Sequence, residues 1–213
     1  MNIRTYPLGS MQTNCYLLSH EDVALLIDPG DSADFLLEQV SRSSLTLIGL
    51  LATHGHFDHV MAVGEIQASF PDLPLYINPQ DHFLLDRIQE TARHFLDYEP
   101  AVLPIQKQIP LEKGKLTIGP FSFTIIETPG HTPGSCSIYL EAQSAVFSGD
   151  TLFMGSVGRT DFSYSSPLEL QKSLKKYHTL PESTTIYPGH GESTTIENEL
   201  THSPFLSSKQ VGD

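Results

Sequence analysis

The chain has 213 residues, 39% of them hydrophobic and 17% charged, which suits one packed domain with no biased or repetitive segment. Its 25 acidic against 12 basic residues leave a formal charge of −13, and this argues against a nucleic-acid partner, because phosphate binding relies on clustered Lys and Arg. Two cysteines, a start without a signal-like apolar core and no apolar run near the ~18 residues of a membrane span predict a cytoplasmic protein with reduced thiols and no membrane partner.

Strands are predicted at 14–19 and 23–27, joined by the turn-like His20-Glu21-Asp22. Asp28-Pro29-Gly30-Asp31 breaks the chain, and Ser32 is positioned to cap a helix reaching Val40. The continuous apolar run 45–52 reads as a strand covered on both faces. Helical spacing over 59–70 places Val60, Val63, Ile66 and Phe70 on one face. A short strand at 75–77 and a longer helix over 79–95 follow, the latter with Phe83, Leu84 and Ile88 as packing residues or as a substrate mouth.

In the second half, 115–118 and 121–126 flank Gly119-Pro120 as a hairpin, and 136–140 with 145–147 form another. A helix over 168–177 and a last strand at 184–187 complete the pattern. Strands alternate with helices in each half and no Pro/Gly/Ser linker intervenes, so a layered α/β architecture in a single domain, residues 1–213, is expected.

The segment Thr-His-Gly-His-Phe-Asp-His-Val, 53–60, follows the buried-type run directly. Imidazole and carboxylate are ligands that borderline divalent metals prefer, and His54, His56, Asp58 and His59 supply four within six residues. His131 lies in Thr-Pro-Gly-His-Thr-Pro-Gly, Asp150 in Ser-Gly-Asp-Thr and His190 in Tyr-Pro-Gly-His-Gly, each just after a β-rich run. Side chains at the ends of neighbouring strands can converge on one site. Five histidines and two aspartates suffice for two metal ions, and a carboxylate can bridge such a pair. Spacing assigns no residue to a particular ion. It suggests only that His54 and His56, two apart, reach one ion, and that Asp58 and His59 reach another. The remaining histidines (His20, His82, His94, His178 and His202) read as surface residues.

These four motifs, in this order, resemble the metallo-β-lactamase superfamily, and within it the glyoxalase II or hydroxyacylglutathione hydrolase group in a short form. The resemblance covers about 14–190 and implies a four-layer αββα sandwich. It implies a first metal held by His54, His56 and His131, a second by Asp58, His59 and His190, and Asp150 as the bridge. Zinc is the expected metal, with iron or manganese as alternatives. The implied reaction is hydrolysis of a small-molecule thioester such as S-lactoylglutathione by a metal-bridging hydroxide, with Asp58 as a catalytic residue that orients it.

The departures concern substrate. Few residues follow His190, too few for the C-terminal helical domain of glyoxalase II proper, and Gly-Arg-Thr-Asp-Phe, 158–162, replaces the group's lysine and tyrosine. Arg159 is the candidate anion contact, or else a partner of Asp161 that pins the loop. Gly-Arg-Thr-Asp-Phe also resembles the mononuclear iron persulfide dioxygenases of the superfamily, which is the alternative enzyme reading. A non-catalytic metal-binding domain is the non-enzyme reading. Whether the protein is a monomer or a homodimer is left open.

Overall fold

The computed structural model describes residues 1–206, so the end of the chain, 207–213, lies outside the described residues. Two six-stranded sheets dominate. The first runs β1 (Asn2–Leu8), β2 (Thr13–His20), β3 (Val23–Ile27), β4 (Thr46–Leu51), β5 (Leu75–Ile77) and β6 (Gln108–Pro110) in spatial order. Its first three strands pair antiparallel, and β3 through β6 pair parallel. The second sheet is formed by β7 (Gly114–Ile118), β8 (Phe121–Glu127), β9 (Cys136–Leu140), β10 (Ala145–Gly149), β13 (Thr185–Pro188) and β14 (Thr194–Thr195). A separate two-stranded hairpin, β11 (Leu152–Phe153) with β12 (Ser156–Val157), leaves it after β10.

Period-two alternation builds the layers. In β2, Tyr16 and Leu18 face the second sheet, whereas Cys15 and Leu17 face the helices. In β3, Leu25 and Ile27 point inward and Ala24 and Leu26 outward. Phe121, Phe123 and Ile125 of β8, Ile138 of β9 and Phe147 of β10 answer from the other sheet and close the central core. Helices α1 (Ala33–Arg42), α3 (Val63–Ser69) and α5 (Ile88–Leu96) cover the outer face of the first sheet. Helices α6 (Pro167–Leu174) and α7 (Ile196–His202) cover that of the second through Leu170, Leu174 and Ile196. The result is the expected αββα sandwich. Both cysteines are free and fully buried. Among the described residues no helix is long and apolar enough to cross a membrane.

Several local expectations change. Ser32 precedes α1 in the left-handed conformation, φ 55°, and its hydroxyl donates to Asp31 Oδ1 at 2.9 Å, so it does not cap the helix. The predicted helix over 59–70 is two helices, α2 (Phe57–Val60) and α3, because the Ala62 amide donates to the Pro29 carbonyl at 3.2 Å. Val60, Val63 and Ile66 are buried as expected, but Phe70 falls beyond the end of α3 and is 44% exposed. The span 79–95 is a 3₁₀ turn at Pro79–Asp81, α4 (His82–Leu85) and α5, and the turn keeps the Asp81 carboxylate inward. Leu84 and Ile88 are buried packing residues, whereas Phe83 is at the surface. The predicted helix over 168–177 is α6 followed by a 3₁₀ turn at Lys175–Thr179.

Candidate metal centre

The sandwich has one edge where four strands of the two sheets end. His54, His56, Asp58 and His59 follow β4 and enter α2, and His131 follows β8. Asp150 follows β10, and His190 follows β13. All seven side chains singled out from the sequence meet there. His54, His56 and His131 form one triad with ligand atoms within 4.8 Å of one another, and Asp58, His59 and His190 form another. His56 Nδ1 is 3.1 Å from His54 Nε2 and 2.9 Å from His131 Nε2. Asp58 Oδ2 is 3.7 Å from His59 Nε2 and 3.3 Å from His190 Nε2. Asp150 lies between the two groups. Its Oδ1 is 3.4 Å from His59 Nε2, and its Oδ2 is 3.5 Å from His131 Nε2 and 3.7 Å from His190 Nε2.

The far side of each imidazole is held as well. His59 Nδ1 donates to Asp28 Oδ2 at 3.0 Å, and that buried carboxylate also takes the Thr53 amide at 2.7 Å and the Thr53 hydroxyl at 2.8 Å. His131 Nδ1 is 2.8 Å from the Arg159 carbonyl, and His190 Nδ1 is 3.2 Å from that of Met11. His56 Nε2 meets the Tyr164 hydroxyl at 2.9 Å. Such partners fix ring orientation and tautomer. The Asp81 carboxylate clasps two loops of the centre by accepting from the Gly55 amide, the Gly134 amide and the Thr132 hydroxyl. Asn14 donates to the carbonyls of Pro188 and Gly191, and the Tyr16 hydroxyl donates to that of Pro188. Gly189 has to be glycine, since a Cβ there would run into Asp150 Oδ1 and His59 Cε1.

Asp28, Asp81 and Tyr164 escape the sequence reading. Asp28 sits just past a strand end, as Asp150 and His190 do, but Asp-Pro-Gly-Asp is also an ordinary turn sequence. Asp81 and Tyr164 carry no local signal.

Charge is strongly organised. Burial and neighbouring imidazoles push His54 well below the usual histidine range, and burial with His131 beside it holds His56 at about 3. His59 moves the other way, because Asp58, Asp150 and Asp28 outweigh the burial that opposes its charge. Burial would raise both carboxyls, yet His59 and its neighbours hold Asp150 at about 2 and Asp58 below its ordinary range. His190 is raised against its own burial by the hydrogen bond to Asp58 and the nearby Asp150.

The donor set fits divalent cations. His59 Nε2 and Asp150 Oδ1 are buried without a hydrogen-bond partner, facing each other at 3.4 Å without hydrogen-bond alignment. Buried polar atoms are rarely left so, and a cation between them would satisfy both. A ligating imidazole must be neutral on the metal side. Asp58, Asp150 and Asp28 favour the charged imidazole of His59, so a proton held on Nε2 would have to leave on loading. We expect metal uptake to release protons and apparent affinity to fall as pH falls, because protons compete with the cation for the imidazole and carboxylate ligands. Calorimetry in buffers of different ionisation enthalpy measures this, and identical heats in all buffers would contradict it.

The centre opens into a cavity. Met11, Phe57, Phe95, Arg159, Phe162 and Tyr164 line it beside the ligand residues. The Arg159 guanidinium makes a bidentate pair with Asp161, 2.6 Å on each arm, and lies 4.5 Å from the centroid of the Phe162 ring.

The chain belongs to the metallo-beta-lactamase superfamily, whose profile matches residues 8–190. It is 37% identical over 212 residues to a hydroxyacylglutathione hydrolase, GloC, of Haemophilus influenzae, covering 98% of this chain and 100% of that one. Among solved structures it resembles the BLEG-1 B3 metallo-beta-lactamase at TM-score 0.88 and 36% identity, covering 97% and 100% of the two chains. It also resembles TTHA1623 in a di-iron-bound form at TM-score 0.86 and 38% identity, covering 95% and 100%. The superfamily binds divalent metals, and this chain carries the His/Asp cluster for it.

Proposed function

We propose that the protein is a binuclear metal-dependent hydrolase that cleaves a small-molecule thioester of the hydroxyacylglutathione type. The observation that carries this reading is the placement of Asp150, one carboxylate oxygen toward His59 and the other toward His131 and His190. His54, His56 and His131 would hold one ion and Asp58, His59 and His190 the other, with Asp150 between them. Bound ions would supply an acidified water and a polarised carbonyl. Zinc is the proposed metal, and iron is the alternative that the di-iron relative favours.

The chain's own groups do the rest. Asp58, held by the Thr13 hydroxyl at 2.8 Å, lines the cavity with a carboxylate that orients a water by accepting a hydrogen bond from it. The aromatic walls displace bulk water. A thiolate leaving group needs little proton assistance, so no further acid is required. Two buried free thiols and a charge of −13 accord with a cytoplasmic enzyme acting on small molecules, not nucleic acid.

Metal counting on purified protein, with turnover of S-lactoylglutathione, a β-lactam and glutathione persulfide, tests the reading. Two ions per chain and chelator-sensitive thioester hydrolysis are expected. One iron with oxygen uptake on the persulfide would establish the dioxygenase instead, and full thioester turnover after metal stripping would sink metal catalysis altogether. The complete second triad speaks against the mononuclear reading.

Arg159 is the proposed substrate contact at the rim. Arg159→Met is expected to raise the Michaelis constant for acidic thioesters about tenfold, the scale of one charged hydrogen bond, and to leave neutral ones unchanged. Constants unchanged for both classes would reduce Arg159 to a loop pin for Asp161.

A further inference from the structure

Three imidazoles of the first triad turn ring nitrogens toward a common space, and each must keep its proton on the opposite nitrogen if all three are to accept a cation. Two of them are oriented from close by or by backbone. His54 has Nδ1 3.2 Å from the hydroxyl of its neighbour Thr53, and His131 Nδ1 donates to the Arg159 carbonyl. His56 differs. Its metal-side atom is Nδ1, and the only partner of its Nε2 among the described residues is the hydroxyl of Tyr164, 108 positions along the chain.

Tyr164 is well placed to hold that proton. Its ring stacks on Phe162 at 5.3 Å and 16°, and meets the edge of Phe83 at 5.3 Å. The following Ser165 hydroxyl donates to the His131 carbonyl at 2.6 Å, and the Ser166 amide to that of Gly130, so the loop is tied to the His131 turn. Tyr164 also lines the cavity, which makes it the one orienting side chain of this triad that a substrate can touch.

We infer that Tyr164 is a positioning residue for the metal centre: its hydroxyl accepts the His56 Nε2 proton, fixes the tautomer that offers Nδ1 to the cation, and so sets the affinity of the His54–His56–His131 half alone. This rests on the two-ion reading above. Tyr164→Phe keeps both aromatic contacts and removes only the acceptor. On stepwise addition of cobalt(II), one ion should bind the variant about tenfold more weakly, as losing a partner behind a metal ligand does. The other ion should stay within twofold, and the visible absorption of the loaded protein should shift. Two constants within twofold of the parent, or an equal weakening of both ions, would overturn the inference. Long-range proton–nitrogen spectra of the zinc-loaded parent provide a check that needs no variant. His56 should carry its proton on Nε2, and a proton on Nδ1 overturns the inference. A parent that takes up a single ion would sink the two-ion reading, while the affinity comparison at that ion still decides the role of Tyr164.

Discussion

Asp150→Ala should abolish the proposed thioester hydrolysis, a loss of about a thousandfold or more, while the protein stays folded. The size follows from what the carboxylate organises. Its two oxygens lie near imidazoles of both triads, and removing a group that fixes the charge of a reaction centre is felt on the scale of 10²–10³ or beyond. The fold should survive because Oδ1 has no hydrogen-bond partner to lose. The two sheets close on Phe121, Phe123, Phe147 and their neighbours, not on this edge. The measurement is threefold: turnover, metal content and circular dichroism. Metal content should fall below two per chain with an unchanged dichroism spectrum. His56→Ala is expected to behave in the same way. Wild-type turnover in either variant would exclude the assigned roles.

Asp28→Ala is the second large expectation, and it acts without touching the cavity. Three buried donors point at this carboxylate: the Thr53 amide, the Thr53 hydroxyl and His59 Nδ1. Each buried donor left unsatisfied costs on the order of 1–3 kcal/mol, so a total of about 3 kcal/mol is a lower-end figure. For a chain of this size that lowers Tm by roughly 10 °C. Metal affinity should drop about 10- to 100-fold, because His59 loses the group that orients its ring. Asp28→Asn, which can still accept two of the three bonds, should be milder on both counts. Thermal melts with and without metal, beside metal affinities, test this, and an Asp28→Ala protein with parental values would refute it.

The seven convergent side chains were legible because their chemistry is local in sequence. Asp150 and His190 sit within two residues of a strand end, His131 follows a glycine in the turn after β8, and the other four crowd the segment 53–60; imidazole clusters have no packing explanation. The central strands were legible for a related reason: buried strands such as β3 and β4 are continuous apolar runs. What the sequence could not reveal is held by tertiary hydrogen bonds. The break between α2 and α3 depends on a bond from Ala62 to Pro29, and the inward turn at Asp81 on donors from Gly55, Thr132 and Gly134. The edge strands β1 and β6 carry exposed positions and a proline, so alternation alone did not mark them. Tyr164 looks like any loop aromatic until the fold brings it to His56.

The seven side chains come from both sheets, and β2 grips the last of their turns through Asn14 and Tyr16, with Thr13 bridged to His190. The centre is thus a clasp across the open rim of the sandwich. Ions seated in it would tie segments more than a hundred residues apart, and such a tie stabilises only the folded chain. Resistance to unfolding then becomes a property the protein acquires and surrenders with its metal. A cell short of metal would hold a population that is both inactive and easier for proteases to open.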